Sequence, residues 1–280
     1  MMHLIMIVAA LVVACSIRSL WTESHETWSE RWQRALFLFL FPPLLIFMTA
    51  IALICMGSQG QMGGLQAGWF SYVLALSSLA FFAVLCIKLA WEGWQSVKSA
   101  RNCCLVHFAD RQVRVLDTGA LFAGQIGFWQ PELVLSQGLL HTLSPEQLET
   151  VLAHEQGHYH YRDTFWFFWL GWVRSCTAWL PNTEALWQEL LALRELRADA
   201  HAASQVDPLL LAESLLLVVS SPPVSSEICC APLGSSNVDR LEQRIEALLA
   251  QPELIPEVQL QCWNSFLLAF MPLVTVMFHT

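Results

Sequence analysis

Apolar residues in this chain come mainly in long unbroken runs, not at the spacing of a surface helix or a half-buried strand. Residues 35–56 (ALFLFLFPPLLIFMTAIALICM) and 69–87 (WFSYVLALSSLAFFAVLCI) contain no charged side chain, and each comes close to the roughly 20 residues that cross a bilayer. Two further runs, 1–17 and 263–278, are shorter, and the second reaches spanning length only from about Leu260 to Thr280. No basic residue precedes the first run and no small-residue cleavage site follows it, so it reads as a retained helix and not as a signal peptide. Trp32, Trp69, Trp91, Trp94 and Trp263 stand at the ends of the runs, where an interfacial aromatic belt places them. The pattern predicts three transmembrane helices in residues 1–91 (about 1–17, 35–56 and 69–87) and a fourth in 260–280.

Residues 92–259 follow another pattern. Between 112 and 136 (QVRVLDTGALFAGQIGFWQPELVLS) short β-type runs are broken by Gly119, Gly124, Gly127 and Pro131, which predicts a small sheet. From Ser144 onward the spacing is helical, up to a Pro/Ser-rich connector at 220–236. The fold expected is a mostly α membrane protein with an α+β domain inserted between spans three and four.

Composition supports that class. The chain is 55% hydrophobic and 13% charged, against about 25% charged in a soluble globular domain. A soluble single-domain enzyme and a disordered chain are both poor fits. Net charge is 14 − 23 = −9 with no long basic run, which argues against direct nucleic-acid binding. Arg18, Arg31 and Arg34 lie between the first two runs, and Lys88, Lys98, Arg101, Arg111 and Arg114 follow the third, whereas 57–68 carries no charge. The positive-inside rule then puts both termini outside and the 88–262 segment in the cytoplasm. Of the nine cysteines, Cys15, Cys55, Cys86 and Cys262 sit in apolar runs, and Cys103-Cys104 and Cys229-Cys230 are adjacent pairs. They read as reduced, structural thiols.

The candidate chemistry is His154-Glu155-Gln156-Gly157-His158, an H-E-x-x-H motif. On a helix, positions i and i+4 share a face, so both imidazoles can bind one Zn²⁺ while Glu155 serves as general base toward a water whose pKa the metal lowers. The helix is signalled independently. Ser144-Pro145-Glu146-Gln147 is a capping box with proline at the first helical position, and Leu143 and Leu148 occupy the places of a hydrophobic staple. A catalytic zinc needs a third protein ligand and an open position. Glu195, on a second helix at about 184–204, is the candidate, with Asp199 one turn on to fix a ligand histidine through its other ring nitrogen. Ala198, Ala202 and Ala203 would let the two helices approach closely. The aromatic stretch 165–181 is short for a span and carries Arg174. If it crossed the bilayer, Glu195 and His154 would lie on opposite sides, so it is read as an interfacial or buried helix. His160 reads as a surface residue and Arg162-Asp163 as a local ion pair.

These features together resemble the BlaR/MecR-type membrane metallopeptidases, the antirepressor family of β-lactam resistance sensors. The resemblance rests on three spans, a glycine-punctuated sheet, LETVLA leading into HEQGH, a following Arg-Asp, a later Glu-x-x-x-Asp and a last span, and it is most specific over 121–204. It implies a cytoplasmic gluzincin-like zinc metalloprotease domain holding one Zn²⁺ per chain. His154, His158 and Glu195 would be the ligands, Glu155 the general base, and Asp199 the acid behind the ligands. It also implies that 128–135 is an edge strand on which an extended substrate aligns, with Phe128, Trp129 and Gln130 as substrate-binding residues. The family's sensors carry an outer penicillin-binding domain after the last span, and no S-x-x-K acylation motif is present here, since Leu85 and Gln95 precede Lys88 and Lys98 by three. A sensorless member under the control of a separate sensor or regulatory partner is expected.

The function expected is a membrane-anchored zinc endopeptidase, multi-pass in the cell membrane, with a protein or peptide substrate such as a cytoplasmic transcriptional repressor. A membrane quality-control or CAAX-type zinc protease and a non-catalytic metal-binding signalling subunit are the alternatives. A site-2-type protease fits less well because 149–164 is rich in polar residues.

Overall fold

The computed structural model describes residues 2–22, 27–57, 61–62, 65–66, 69–108, 111–220, 238–250 and 265–278. Cys229, Cys230, Cys262, Trp263 and most of the 220–236 connector lie outside them. The six cysteines Cys15, Cys55, Cys86, Cys103, Cys104 and Cys176 are free thiols. The chain divides into two compact units, one of Met1–Ile87, Leu170–Leu191 and Ile255–Thr280, the other of Lys88–Trp169 and Ala192–Leu254. Residues 170–191, expected to belong with 92–259, group instead with the N-terminal helices.

The first unit contains α1 (Met2–Ser19), α2 (Trp28–Met56), most of the apolar part of α3 (Trp69–Arg101) and a two-residue hairpin pair, β1 (Gln61–Met62) and β2 (Leu65–Gln66). Among the described residues, α2 and α3 are long and apolar enough to cross a membrane, and α1 is shorter. Both long helices outrun their predicted spans. α2 begins seven residues early, at Trp28, and α3 continues past Ile87 to Arg101 through Lys88, Glu92 and Lys98. Among the described residues of the last run, Leu267–Phe270 and Thr275–Phe278 are 3₁₀ turns flanking a four-residue α-turn at Met271–Val274, while 260–264 lie outside them. Pro272 has no backbone N–H to give to a helical ladder. The four predicted spans therefore reduce, in the described residues, to two helices of spanning length.

The helix of the aromatic segment is shorter than a span. α6 (Asp163–Cys176) has 14 residues, about 21 Å against a hydrocarbon core of about 30 Å. A turn ending at Asn182 (φ 54°) then reverses the chain into α7 (Thr183–Ala203). Trp172 donates from Nε1 to the Phe82 carbonyl (2.9 Å) and stacks on Phe47. Arg18, fully buried, donates to the Phe39 carbonyl (3.0 Å) and to Thr183 Oγ1 (3.1 Å), and Arg31 pairs with Glu189 at 2.6 Å. Two of the arginines between the first runs are thus tied into protein contacts as well as counting toward orientation.

The second unit carries the sheet: β3 (Cys104–Phe108), β4 (Arg111–Leu116), β5 (Ala123–Ile126) and β6 (Glu132–Ser136), in the order β3-β4-β6-β5. β4 and β6 are parallel, with Val113 opposite Leu133, and the other pairs are antiparallel. α4 (Gln137–Thr142), α5 (Pro145–His160), α8 (Pro208–Val219) and α9 (Val238–Leu249) complete it. Val113, Leu133 and Leu135 from the sheet pack with Leu139, Leu143, Leu148 and Val151, so one face of α5 seats on the sheet. Ala153 packs with Ala202, Leu211, Leu215, Leu241 and Leu248 from α7, α8 and α9.

The start of α5 is as the sequence predicts. Ser144 Oγ accepts from Gln147 N (3.3 Å), Gln147 Oε1 accepts from Ser144 N (3.1 Å), and Leu143 and Leu148 are buried in one cluster. Ser144→Ala removes one of these bonds, and the expected loss is about 1 kcal/mol of stability, seen as a lower unfolding temperature in detergent with the metal site still able to load. An unchanged unfolding temperature would contradict this role for the cap.

Candidate metal centre

The ladder set by this cap delivers His154 and His158 to one face of α5, pointing toward α7. Gly157 lies on the same side. A Cβ at that position would meet the Cα and carbonyl oxygen of Ala198, each at 3.1 Å, so the glycine and the alanine together allow the two helices to close. Glu195 and Asp199, one turn apart on α7, are thereby brought to the histidines.

Nε2 of His154 and Nε2 of His158 are 3.1 Å apart, and Oε2 of Glu195 is 3.4 Å from the first and 3.8 Å from the second. A circle through these three atoms has a radius of about 2.0 Å, which is the length of a zinc–nitrogen or zinc–carboxylate bond, roughly 2.0–2.2 Å. The donor set, two imidazoles and one carboxylate, suits zinc, and the three residues are the group among those described that can hold a metal ion. Glu155 is buried, and its Oε2 has no hydrogen-bond partner among the described residues. That leaves one acceptor on the motif helix for a water or a substrate group.

Each candidate ligand is backed by a charged partner. His158 Nδ1 is 2.7 Å from Asp163 Oδ2. His154 Nδ1 is 2.8 Å from Asp199 Oδ1, close enough for an ion pair although not aligned as a hydrogen bond. With Nδ1 of each ring held by a carboxylate, the Nε2 lone pairs are the ones presented to a cation. The carboxylates in turn have arginines: Arg197 on Asp163, Arg194 on Glu195 (Nη2 to Oε1, 2.6 Å), and Arg244 on Asp199 through two bonds of 2.6 and 2.8 Å.

This network sets the protonation of the metal-free site. Burial alone would raise the Glu195 carboxyl, but Arg194 and the two histidines outweigh it and hold Glu195 well below the usual carboxylate range. Asp199 is held down in the same way, against burial, by Arg244 and His154. Burial would lower His154, yet Asp199 and Glu195 prevail and push it up to about 10; His158 is raised for the corresponding reason by Glu195 and Asp163.

All five predicted site residues of α5 and α7 (His154, Glu155, His158, Glu195 and Asp199) fall within this one cluster or on its helix. The segment 128–135 differs from expectation. Phe128–Gln130 form a bend, and Glu132–Ser136 are β6, paired on both sides and therefore interior. The edge strand beside the motif helix is β5, whose Gln125 donates from Nε2 to the Glu155 carbonyl (3.3 Å). Phe128 packs among Phe165, Phe168 and Trp169, while Trp129 lies on Phe165 and is 72% exposed. Asp163 does not form the expected pair with Arg162. It serves His158 and Arg197 because α5 ends at His160 and Arg162 adopts φ 54° to turn the chain. His160 is exposed and stacks on His201. Sequence reasoning missed Asp163, Arg194, Arg197 and Arg244 as site residues. Arg244 had a legible signal: it shares the inward positions Leu241, Ile245 and Leu248 of α9, where a lone charge implies a buried partner.

Two histidines one turn apart on a helix, a glutamate from a neighbouring helix and a buried glutamate between the histidines are the donor pattern of a metallopeptidase type of centre. Residues 100–191 match the family described as Peptidase family M48. A 114-residue stretch, 40% of this chain, is 29% identical to Protease HtpX of Psychrobacter sp. (strain PRwf-1). That stretch spans 37% of the relative's length. No solved structure matches the chain. With the two apolar helices, these similarities support a membrane-associated protease of metallopeptidase type.

Zinc ligation requires neutral imidazoles, whereas metal-free His154 carries its proton below a pKa of about 10. The cation must displace that proton, so apparent affinity rises with pH. Loading the metal-free protein with zinc at pH 7.5 is expected to release about one proton or more per chain, read with an indicator dye in weak buffer. Binding without proton release would contradict the protonation described here.

Proposed function

We propose that the chain is a membrane-anchored, zinc-dependent endopeptidase that cleaves a protein at or near the cytoplasmic membrane surface. The observation that carries the reading is the convergence of His154 Nε2, His158 Nε2 and Glu195 Oε2 on one point at bonding distance for zinc. A zinc ion held by them would supply Lewis acidity, polarising the scissile carbonyl and lowering the pKa of a water. Glu155 takes up a proton from the attacking water and returns it to the leaving amine. Asp163 and Asp199 hold the ligand rings in one tautomer, and Arg197 and Arg244 fix those two carboxylates in place.

The substrate reading also rests on β5. It is the last strand in the sheet order, and Gln125 ties it to the motif helix. An extended segment adding to its free side would run past Glu155, with main-chain hydrogen bonds supplying much of the affinity. Trp129, Trp166 and Trp169 are exposed on the same unit, and tryptophan is the residue of membrane interfaces. A membrane-proximal protein is accordingly the substrate class, and a cytoplasmic repressor, the target implied by the antirepressor resemblance, is a regulatory substrate of that class. With four spans, the arginine and lysine distribution supports an orientation with both termini outside.

Glu155→Gln keeps the shape of the side chain and removes the base. Zinc content is expected to be unchanged, and cleavage of an unfolded protein such as casein by the full chain in detergent should fall by about 10²–10⁴-fold. A Glu155→Gln protein as active as wild type overturns the assignment.

A further inference from the structure

The side chain that closes the site comes from outside residues 100–191, the stretch that matches the family model. The family match ends at residue 191, and Glu195, Asp199 and Arg244 all lie beyond it. We propose that Arg244, on α9, is a positioning residue for the metal ligands: its planar fork fixes the Asp199 carboxylate, and through it His154, so that zinc is held tightly only while α9 is docked. The inference rests on the reading of His154, His158 and Glu195 as the ligand set.

Arg244 Nε donates to Asp199 Oδ2 (2.6 Å) and Nη2 to Asp199 Oδ1 (2.8 Å), and the same Oδ1 stands 2.8 Å from His154 Nδ1. The third nitrogen, Nη1, is 3.5 Å from Glu195 Oε2, the oxygen that faces both ligand histidines. One guanidinium therefore touches the carboxylate behind one ligand and the carboxylate of another. Asp199 is 1% exposed and Arg244 is buried, so water cannot replace the fork if it is withdrawn, and a lysine's single ammonium cannot reproduce two parallel bonds. α9 also packs Leu241, Ile245 and Leu248 in an apolar cluster with residues of α5, α7 and α8. Arg244 is the point at which this helix reaches the metal chemistry.

Two effects of Arg244 oppose each other. Its positive charge disfavours a dication, whereas its fork orients a ligand, and the two predict opposite signs for removing it. The experiment is zinc affinity of the full chain in detergent, by competition with a chromophoric chelator, alongside thermal unfolding of the metal-free protein. If Arg244 positions the ligands, Arg244→Met weakens zinc binding by about 10–100-fold, the usual consequence of losing a partner behind a metal ligand. Arg244→Lys weakens it too, despite keeping the charge. In an Asp199→Asn background, Arg244→Met adds less than about twofold, because the two residues act as one unit. Affinity unchanged or tightened in Arg244→Met overturns the proposal, as does a fully wild-type Arg244→Lys or an undiminished effect in the Asp199→Asn background. Arg244→Lys, which keeps the charge and most of the stem, guards against a variant that merely fails to fold. Wild-type affinity in His158→Ala would instead defeat the ligand assignment on which the proposal stands.

Discussion

Where α5 and α7 meet, position 157 has space for a hydrogen atom and little more, with the Ala198 backbone 3.1 Å from where a Cβ would sit. Much of the site depends on that approach. Helix pairs ordinarily pack about 8–10 Å apart, and small residues at the contact bring them to the near end of that range. Glu195, three residues before Ala198 on the same side of α7, can then reach both imidazoles with a carboxylate on a short stem. A helix displaced by about 1 Å would open the 3.1, 3.4 and 3.8 Å triangle beyond the spread that metal–ligand distances tolerate, about 0.2 Å. The cap at Ser144 fixes where α5 begins, and the sheet beneath Leu148 and Val151 fixes how it lies.

Closing the helices carries an electrostatic cost that the sequence meets residue by residue. Asp163, Glu195 and Asp199 enter a poorly hydrated space, where an unpaired carboxylate is strongly destabilising. Each is given an arginine. Two of these arginines also lie over aromatic rings, Arg194 over Phe167 at 4.8 Å and Arg197 over Tyr161 at 4.2 Å, which suits the weakly hydrated guanidinium. Glu195 and Asp199 are thus already ionised and oriented before a cation arrives, and the histidine protons are what the cation must displace. Phe167 of α6 and Tyr161 at the end of α5 thus support this network.

Much of this was legible because it is local. The start of α5 is written in four consecutive residues, and the two histidines and Glu155 are ordered by helical period alone. Glu195 and Asp199 were found because i, i+4 spacing on a second helix is also a local signal. What was not legible depends on chain reversals or on distant segments. Asp163 reaches His158 only through the φ 54° turn at Arg162, which no periodicity announces. Arg244 arrives from α9, beyond the Pro/Ser-rich connector. β3 has all five residues exposed, so it lacks the alternation that betrays a half-buried strand. The run PELVLS read as an edge strand, yet its apolar residues are those of an interior strand buried by neighbours on both sides. Hydropathy located the apolar runs but not their bounds, since charged turns lengthen the second and third.

The central claim is that His154, His158 and Glu195 form one zinc site. Elemental analysis of the detergent-purified chain, beside a Glu195→Gln variant, tests it most directly. About one zinc per chain is expected in the wild type, removable by a chelator and restorable, with loss or sharp weakening in Glu195→Gln. A folded wild type that holds no zinc and cannot be reloaded, or a Glu195→Gln variant that holds zinc as firmly as the wild type, contradicts it.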